Sequence, residues 1–382
     1  MTELPDPVAL TQALIRCPSV TPEEGGALGL LAETLAPFGF DSERIDVEGI
    51  PNLWTRWGRG RPLFCFAGHT DVVPVGDQAA WSEDPFSGAL RDGLVWGRGA
   101  TDMKSGVAAF VAAACRFVRE TPPDGSIALL ITGDEEGDAV YGTRAVLERL
   151  AARGEAIDAA LVGEPTSVER LGDVVKIGRR GSLTAYLTAT GEQGHTAYPH
   201  RARNPLPALA RLLDRLASTP LDAGTDHFEA STLALTTIDV GNPANNVIPA
   251  RGRATLNIRF NDGHDGASLI AMLERVAGEV SAESGVAIGV ETKLSGEAFL
   301  TPPGPLSEIV SAAVEAETGA RPALATGGGT SDARFIKDYC PVIECGLTGR
   351  TMHQVDERAP AAEIEGLAKI YRGVLARYFT GG

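Results

Sequence analysis

The feature that most constrains this chain is a series of short apolar runs, several of which end against an imidazole or a carboxylate. Residues 62–67 (PLFCFA) run into Gly68-His69-Thr70-Asp71, and residues 127–132 (IALLIT) into Gly133-Asp134-Glu135-Glu136-Gly137. Residues 159–162 (AALV) run into Gly163-Glu164-Pro165, and 341–346 (PVIECG) precede a loop with Met352-His353. Apolar runs of this length read as strands buried on both faces. Helical patterns at 7–17, 24–36, 105–119 and 144–153 surround them. Alternation of that kind predicts a mostly parallel central sheet covered by helices, an α/β fold. Ligands bind such sheets just beyond the strand ends, where these polar residues fall.

The pattern changes near Ile177. Residues 184–190, 232–240 and 254–260 read as half-exposed antiparallel strands, with helices at 206–218 and 268–284. After about Leu294 the α/β style returns, with helices at 306–318 and 361–378 around the 341–346 strand. With 382 residues, two domains are expected. The larger comprises 1–179 and 294–382, and a smaller α+β domain, 180–293, is inserted within it.

A net charge of −16 argues against nucleic acid and anionic membrane as partners. No run of about 18 apolar residues is present, and residues 1–7 carry no secretory pattern, so a cytoplasmic protein is expected. The five cysteines, Cys17, Cys65, Cys115, Cys340 and Cys345, are scattered, and four sit in apolar runs; they read as reduced thiols. No C-x-x-C occurs, which argues against a thiolate zinc site.

Each polar segment taken alone has an ordinary explanation. Asp102 in Gly97-Arg98-Gly99-Ala100-Thr101-Asp102-Met103-Lys104 precedes a helix and could simply be its N-cap. Glu164 could be a loop carboxylate and His353 a lone histidine. The acidic triplet 134–136 is harder to dismiss, because carboxylates crowded at a buried strand end repel one another without a cation. Jointly, His69, Asp102, Glu136, Glu164 and His353 supply two imidazoles and three carboxylates, enough for two metals sharing one bridging carboxylate. Nitrogen and oxygen donors without sulfur suit Zn, and also Co or Mn.

The strings GHTDVVP, GRGATDMKSG, GDEEG and GEP, with a late His, resemble the M20 metallopeptidase and deacylase family over nearly the whole chain. Residues 178–200, 245–250 (NNVIPA) and 327–336 (GGGTSDARFI) are similar to members that remove a succinyl group from a diamino acid, although Ala333 stands where Gly is expected. The resemblance implies two Zn2+ per subunit, with Co2+ able to substitute. His69 and Glu164 would hold one, Glu136 and His353 the other, and Asp102 would bridge. It implies that Asp71 orients His69, that Glu135 is the general base, and that the peptide after Asp102 is cis. His195 would stabilise the oxyanion in a partner subunit, with the inserted domain forming the homodimer. Arg179, Tyr198, Asn245, Arg259, Gly328, Thr330 and Ser331 would bind the substrate, an N-acyl amino acid. The first expectation is N-succinyl-LL-2,6-diaminopimelate; N-acetylornithine or another acylated amino acid or peptide is the alternative.

Overall fold

Every residue of the strand Leu63–His69 is buried, and it pairs in parallel on both sides, with Ser126–Thr132 and with Ala159–Val162. It lies near the middle of an eight-stranded sheet in the computed structural model, which describes residues 2–380. The strand order is Asp41–Arg44, Asn52–Trp57, Ser126–Thr132, Leu63–His69, Ala159–Val162, Val342–Glu344, Val174–Lys176, Ala323–Ala325. The four middle strands, from Ser126–Thr132 to Val342–Glu344, are parallel, and the direction reverses on either side of them. The result is an α/β unit with a mostly parallel sheet. The antiparallel edge pair is not anticipated from sequence: its outer strand reads DSER, is wholly exposed, and has no apolar signature.

The chain divides into two compact units. The larger runs through Ile177 and adds Thr301–Ala325 and the chain from Ser331 onward. The helix Lys104–Glu120 is buried along most of its length and packs on the final helix, Ala361–Thr380. Where both meet the sheet, Phe66 and Phe110 stack with centroids 4.3 Å apart. Tyr371 closes on them at 5.6 and 5.8 Å, and its hydroxyl donates to the Cys345 carbonyl at 2.6 Å. All five cysteines are free thiols, four of them buried. Burial pushes the thiols of Cys115, Cys340 and Cys345 up to about 12.

The smaller unit is Gly178–Leu300 with Thr326–Thr330, wider than the 180–293 read from the sequence. Gly178–Arg179 pairs with Phe299–Leu300, which draws the two ends of the segment together. Its sheet is antiparallel, in the order Thr232–Asp239, Arg251–Phe260, Gly181–Thr190, Ala287–Gly296. Side chains from one face of the Gly181–Thr190 and Arg251–Phe260 strands, including Leu187, Leu256 and Ile258, share a core with the helices Leu206–Ser218 and Gly266–Ser284. The last strand, Ala287–Gly296, is an addition to the sequence-based order. Thr232–Asp239 is an edge strand, and all but one of its residues are exposed. Among the described residues, no helix is long and apolar enough to cross a membrane.

Removing one ring from the aromatic stack leaves a cavity between sheet and helices. Phe110→Ala is expected to destabilise the fold by about 3–5 kcal/mol, read as a lower urea midpoint at an unchanged slope. A cost below about 1 kcal/mol would mean that the stack does not anchor these helices.

Candidate metal centre

His69 is the last residue of its strand. Its Nδ1 lies 2.9 Å from the Asp71 carbonyl oxygen, which can only accept, so that nitrogen carries hydrogen. Nε2 therefore faces the carboxylates: Asp102 Oδ1 at 3.2 Å and Glu164 Oε1 at 3.6 Å. His353 presents its Nε2 to Glu136 Oε1 at 2.8 Å and to Asp102 Oδ2 at 3.3 Å. Asp102 thus directs one oxygen at each imidazole. It is not the cap of the following helix: Met103 occupies that position, without a side-chain cap. The Asp102–Met103 peptide is cis. His353 has φ +60°, a left-handed conformation uncommon for a residue with a Cβ.

Asp71 works differently from the expected histidine-orienting carboxylate. Its carbonyl contacts the ring, whereas its nearest carboxylate oxygen is 3.6 Å from Nδ1, beyond a good hydrogen bond. The carboxylate instead accepts from the Glu136 amide at 3.0 Å, the Glu135 amide at 3.3 Å and the Thr21 hydroxyl at 2.8 Å. Backbone and side chain of one residue thereby fix both the His69 ring and the Glu135-Glu136 turn. Thr21 has no signal in the sequence, since a hydroxyl distant in the chain marks no motif. Ligand-capable atoms of His69, Asp102 and Glu136 lie within 4.8 Å of one another, as do those of His69, Glu135 and Glu164. Close packing makes this possible: a Cβ on Gly346 would sit 2.2 Å from the Glu164 carbonyl.

Two imidazoles here face five carboxylates: Asp71, Asp102, Glu135, Glu136 and Glu164. Burial, reinforced by the charge of Glu164, raises Glu135 well above the ordinary carboxylate range. Burial and the Asp102 charge raise Glu164 to about 7. Burial also opposes ionisation of Asp102, but hydrogen bonds from His353 and His69 outweigh it and hold Asp102 below the usual range. Hydrogen bonds to Asp102 and Glu136 carry His353 up to about 10. Burial disfavours a charged His69, yet Asp102 and Glu164 lift it well above its ordinary value. Five carboxyl groups share two imidazoles, and burial, then this shortage of counter-charge, makes Glu135 and Glu164 hold protons more tightly. The donor set fits divalent cations: it is anionic, made of nitrogen and oxygen, and ordered around two ring nitrogens that point at carboxylates.

Most of the expected substrate contacts lie in the smaller unit. Arg179 is buried and donates to the Gly329 carbonyl at 3.0 Å, joining it to the 326–330 loop with Gly328 and Thr330. Gly328 has φ +107°, and a Cβ there would come 2.7 Å from the Arg179 guanidinium. Arg259 donates to the Asn257 side chain at 3.0 Å; burial and the neighbouring Arg180 lower its pKa. Asn245 is exposed, as is Tyr198, whose ring sits 5.7 Å from His195 and 5.2 Å from the Arg201 guanidinium. The Ala197 amide donates to His195 Nδ1 at 3.0 Å, so the neutral ring carries its hydrogen on Nε2, as a donor. Ser331 departs from expectation. It belongs to the larger unit, is fully buried, and gives its hydroxyl to Glu344 at 2.6 Å, so that hydroxyl is not free for a substrate.

Residues 65–377 match the model of peptidase family M20/M25/M40. The chain is 66% identical over 377 residues, 98% of its length and 99% of the relative's, to a succinyl-diaminopimelate desuccinylase of Cereibacter sphaeroides. In structure it is similar to an M20 metallo-carboxypeptidase of Sulfolobus solfataricus, with a TM-score of 0.81 and 16% identity covering 99% of both chains. It is also similar to a dinuclear metal-binding M20 peptidase of Bacillus subtilis, with a TM-score of 0.72 and 15% identity covering 98% and 97%.

Because His353 has a raised pKa in the fold, its protonated form contributes stability in full below about pH 6.5, and the contribution fades as pH rises through about 10. The raised carboxyls of Glu135 and Glu164 act in the same direction. Chelator-treated protein should therefore lose Tm between pH 6.5 and 10 more steeply than the same protein given a divalent cation such as Zn2+. His353→Gln should flatten the stripped-protein slope. Equal slopes in all three samples would show that the cluster does not couple to folding.

Proposed function

The chain belongs to peptidase family M20/M25/M40, and from that premise we propose that it hydrolyses the amide of N-succinyl-LL-2,6-diaminopimelate to succinate and LL-2,6-diaminopimelate. The observation carrying this reading is the full-length likeness to a desuccinylase of that name, together with a His–carboxylate cluster suited to amide hydrolysis. The reaction belongs to diaminopimelate and lysine biosynthesis, and we place the protein in the cytoplasm.

His69 and Glu164 would hold one cation, Glu136 and His353 the other, with Asp102 shared. We take the ions to be Zn2+, with Co2+ able to replace it; they would neutralise the cluster and supply Lewis acidity toward the scissile carbonyl. Glu135 is the general base. Its half-buried carboxyl, flanked by Glu164, has a raised affinity for a proton. Water adds to the amide carbon while Glu135 takes one of its protons. As the C–N bond breaks, Glu135 delivers that proton to the departing amine nitrogen, leaving succinate. Asp71 keeps Glu135 in register by accepting its backbone amide.

A substrate with several carboxylates calls for guanidinium forks, and Arg179 and Arg259 are suited to that role. Tyr198, Asn245 and the Gly328–Thr330 loop would complete recognition, while Ser331 would act only by positioning Glu344. The smaller unit would form the homodimer. Its edge strand Thr232–Asp239 pairs on one side only and exposes Leu235 and Ile238, the latter at 63%, which suits strand-to-strand association. His195 Nε2–H would then reach the partner's reacting carbonyl as an oxyanion donor.

With Zn2+-loaded protein, kcat/KM for the succinylated diamino acid should exceed that for N-acetylornithine by at least about a hundredfold, since unpaired buried polar groups penalise the smaller substrate. Faster cleavage of acetylornithine would reject the substrate and keep the family.

Glu135→Gln should retain bound metal while losing about two to four decades of kcat. Mixing it with inactive His195→Ala protein should restore activity through heterodimers. Failure of that rescue between exchanging subunits would reject donation of His195 across the interface.

A further inference from the structure

Arg98 and Glu357 are buried to 2% and 0% exposure, and neither takes part in the chemistry described above. Arg98 Nη1 donates to Glu357 Oε2 at 2.6 Å. The other carboxylate oxygen of Glu357 accepts two consecutive amides, Thr101 at 2.8 Å and Asp102 at 3.1 Å. Arg98 also donates to the Gln354 carbonyl, next to His353, at 3.2 Å, and to the Pro74 carbonyl at 3.3 Å. The segments are zipped together further. Gly97 donates its amide to the Glu357 carbonyl at 2.9 Å, and the strand Leu94–Trp96 pairs with Arg358–Pro360.

A buried ion pair is weak support for stability, because desolvation offsets much of the attraction. This pair is not optimised for stability either: Arg98 Nε is buried without a hydrogen-bond partner among the described residues. Its contacts do converge on two neighbouring ligand segments, those of Asp102 and His353. His69 has its own support in the Asp71 carbonyl, and Glu164 in the packing against Gly346.

We infer that Arg98 and Glu357 are positioning residues that hold the Asp102 backbone and the His353 loop in register, and so set the cation position bounded by Glu136 and His353. Glu357 fixes the amides on which the Asp102 carboxylate is mounted. Arg98 ties that carboxylate's support to the loop that carries His353 in its left-handed conformation. The other cation position, between His69 and Glu164, shares only Asp102 with this support and depends on it less. The inference rests on the two-cation reading proposed above.

The test is a Co2+ titration of chelator-stripped, full-length protein, followed by calorimetry and by the visible Co2+ absorption bands. Wild-type protein should take up two Co2+ per chain; uptake of one or none would overturn the two-cation reading and this inference with it. Given two, Glu357→Gln should weaken one binding step by about 10–100-fold and leave the other within about twofold. The double variant Arg98→Met/Glu357→Gln removes both buried charges and should keep the thermal stability of the stripped protein near wild type. It should still show the single weakened step. Two steps of wild-type affinity in either variant would overturn the inference, even with the two-cation reading intact. Equal weakening of both steps, in a variant whose stripped form is destabilised, would also overturn it, because that is the mark of a merely structural pair.

Discussion

Mutual repulsion among Asp71, Asp102, Glu135, Glu136 and Glu164 is the constraint on which this structure depends. Each carboxylate sits at or just beyond a strand or helix end, with little water to screen it, and none would gather there without opposing charge. Two devices hold the arrangement. One is mechanical: the parallel strands and the packed Phe66, Phe110 and Tyr371 rings fix the backbone from which these side chains project. The other is chemical: amide N–H groups, a hydroxyl and two imidazoles meet the oxygens, and divalent ions are suited to supply the rest. Burial, and then the charge of Glu164, raises the proton affinity of Glu135 in the same cluster.

Charge is divided between the two units. The anionic cluster belongs to the larger, whereas Arg179, Arg180 and Arg259 belong to the smaller. Burial, and then the proximity of Arg180, disfavours the charged form of Arg259.

Much of this was legible in the sequence, for identifiable reasons. PLFCFA, IALLIT and AALV announce buried strands because they are apolar without interruption, and the residues after them are placed by connectivity alone. The joint occurrence of His69, Asp102, Glu136, Glu164 and His353 points to one site, and the structure brings the five side chains together. Features that depend on tertiary approach were not legible. DSER could not announce an edge strand, since its residues face solvent on both sides. Asp102 before a helix looks like a cap, yet Met103 takes that position and the Asp102 carboxylate turns to imidazoles brought from distant segments. Asp71 pairs with His69 through its carbonyl, which no side-chain pattern encodes. The hydroxyl of Ser331 is committed to the buried Glu344, a pairing no motif encodes, and Glu357 lies four positions after His353 without any motif to mark it.

The thiols buried in the fold have a bearing of their own. Cys115, Cys340 and Cys345 keep their hydrogens at any physiological pH, and Tyr371 is hydrogen-bonded to the backbone of Cys345. Alkylating or oxidising agents act on the thiolate, so these sulfurs are inert until the core opens. The native protein therefore contains its own reporter of global opening. Modification of these sulfurs follows the extent to which helices and sheet part.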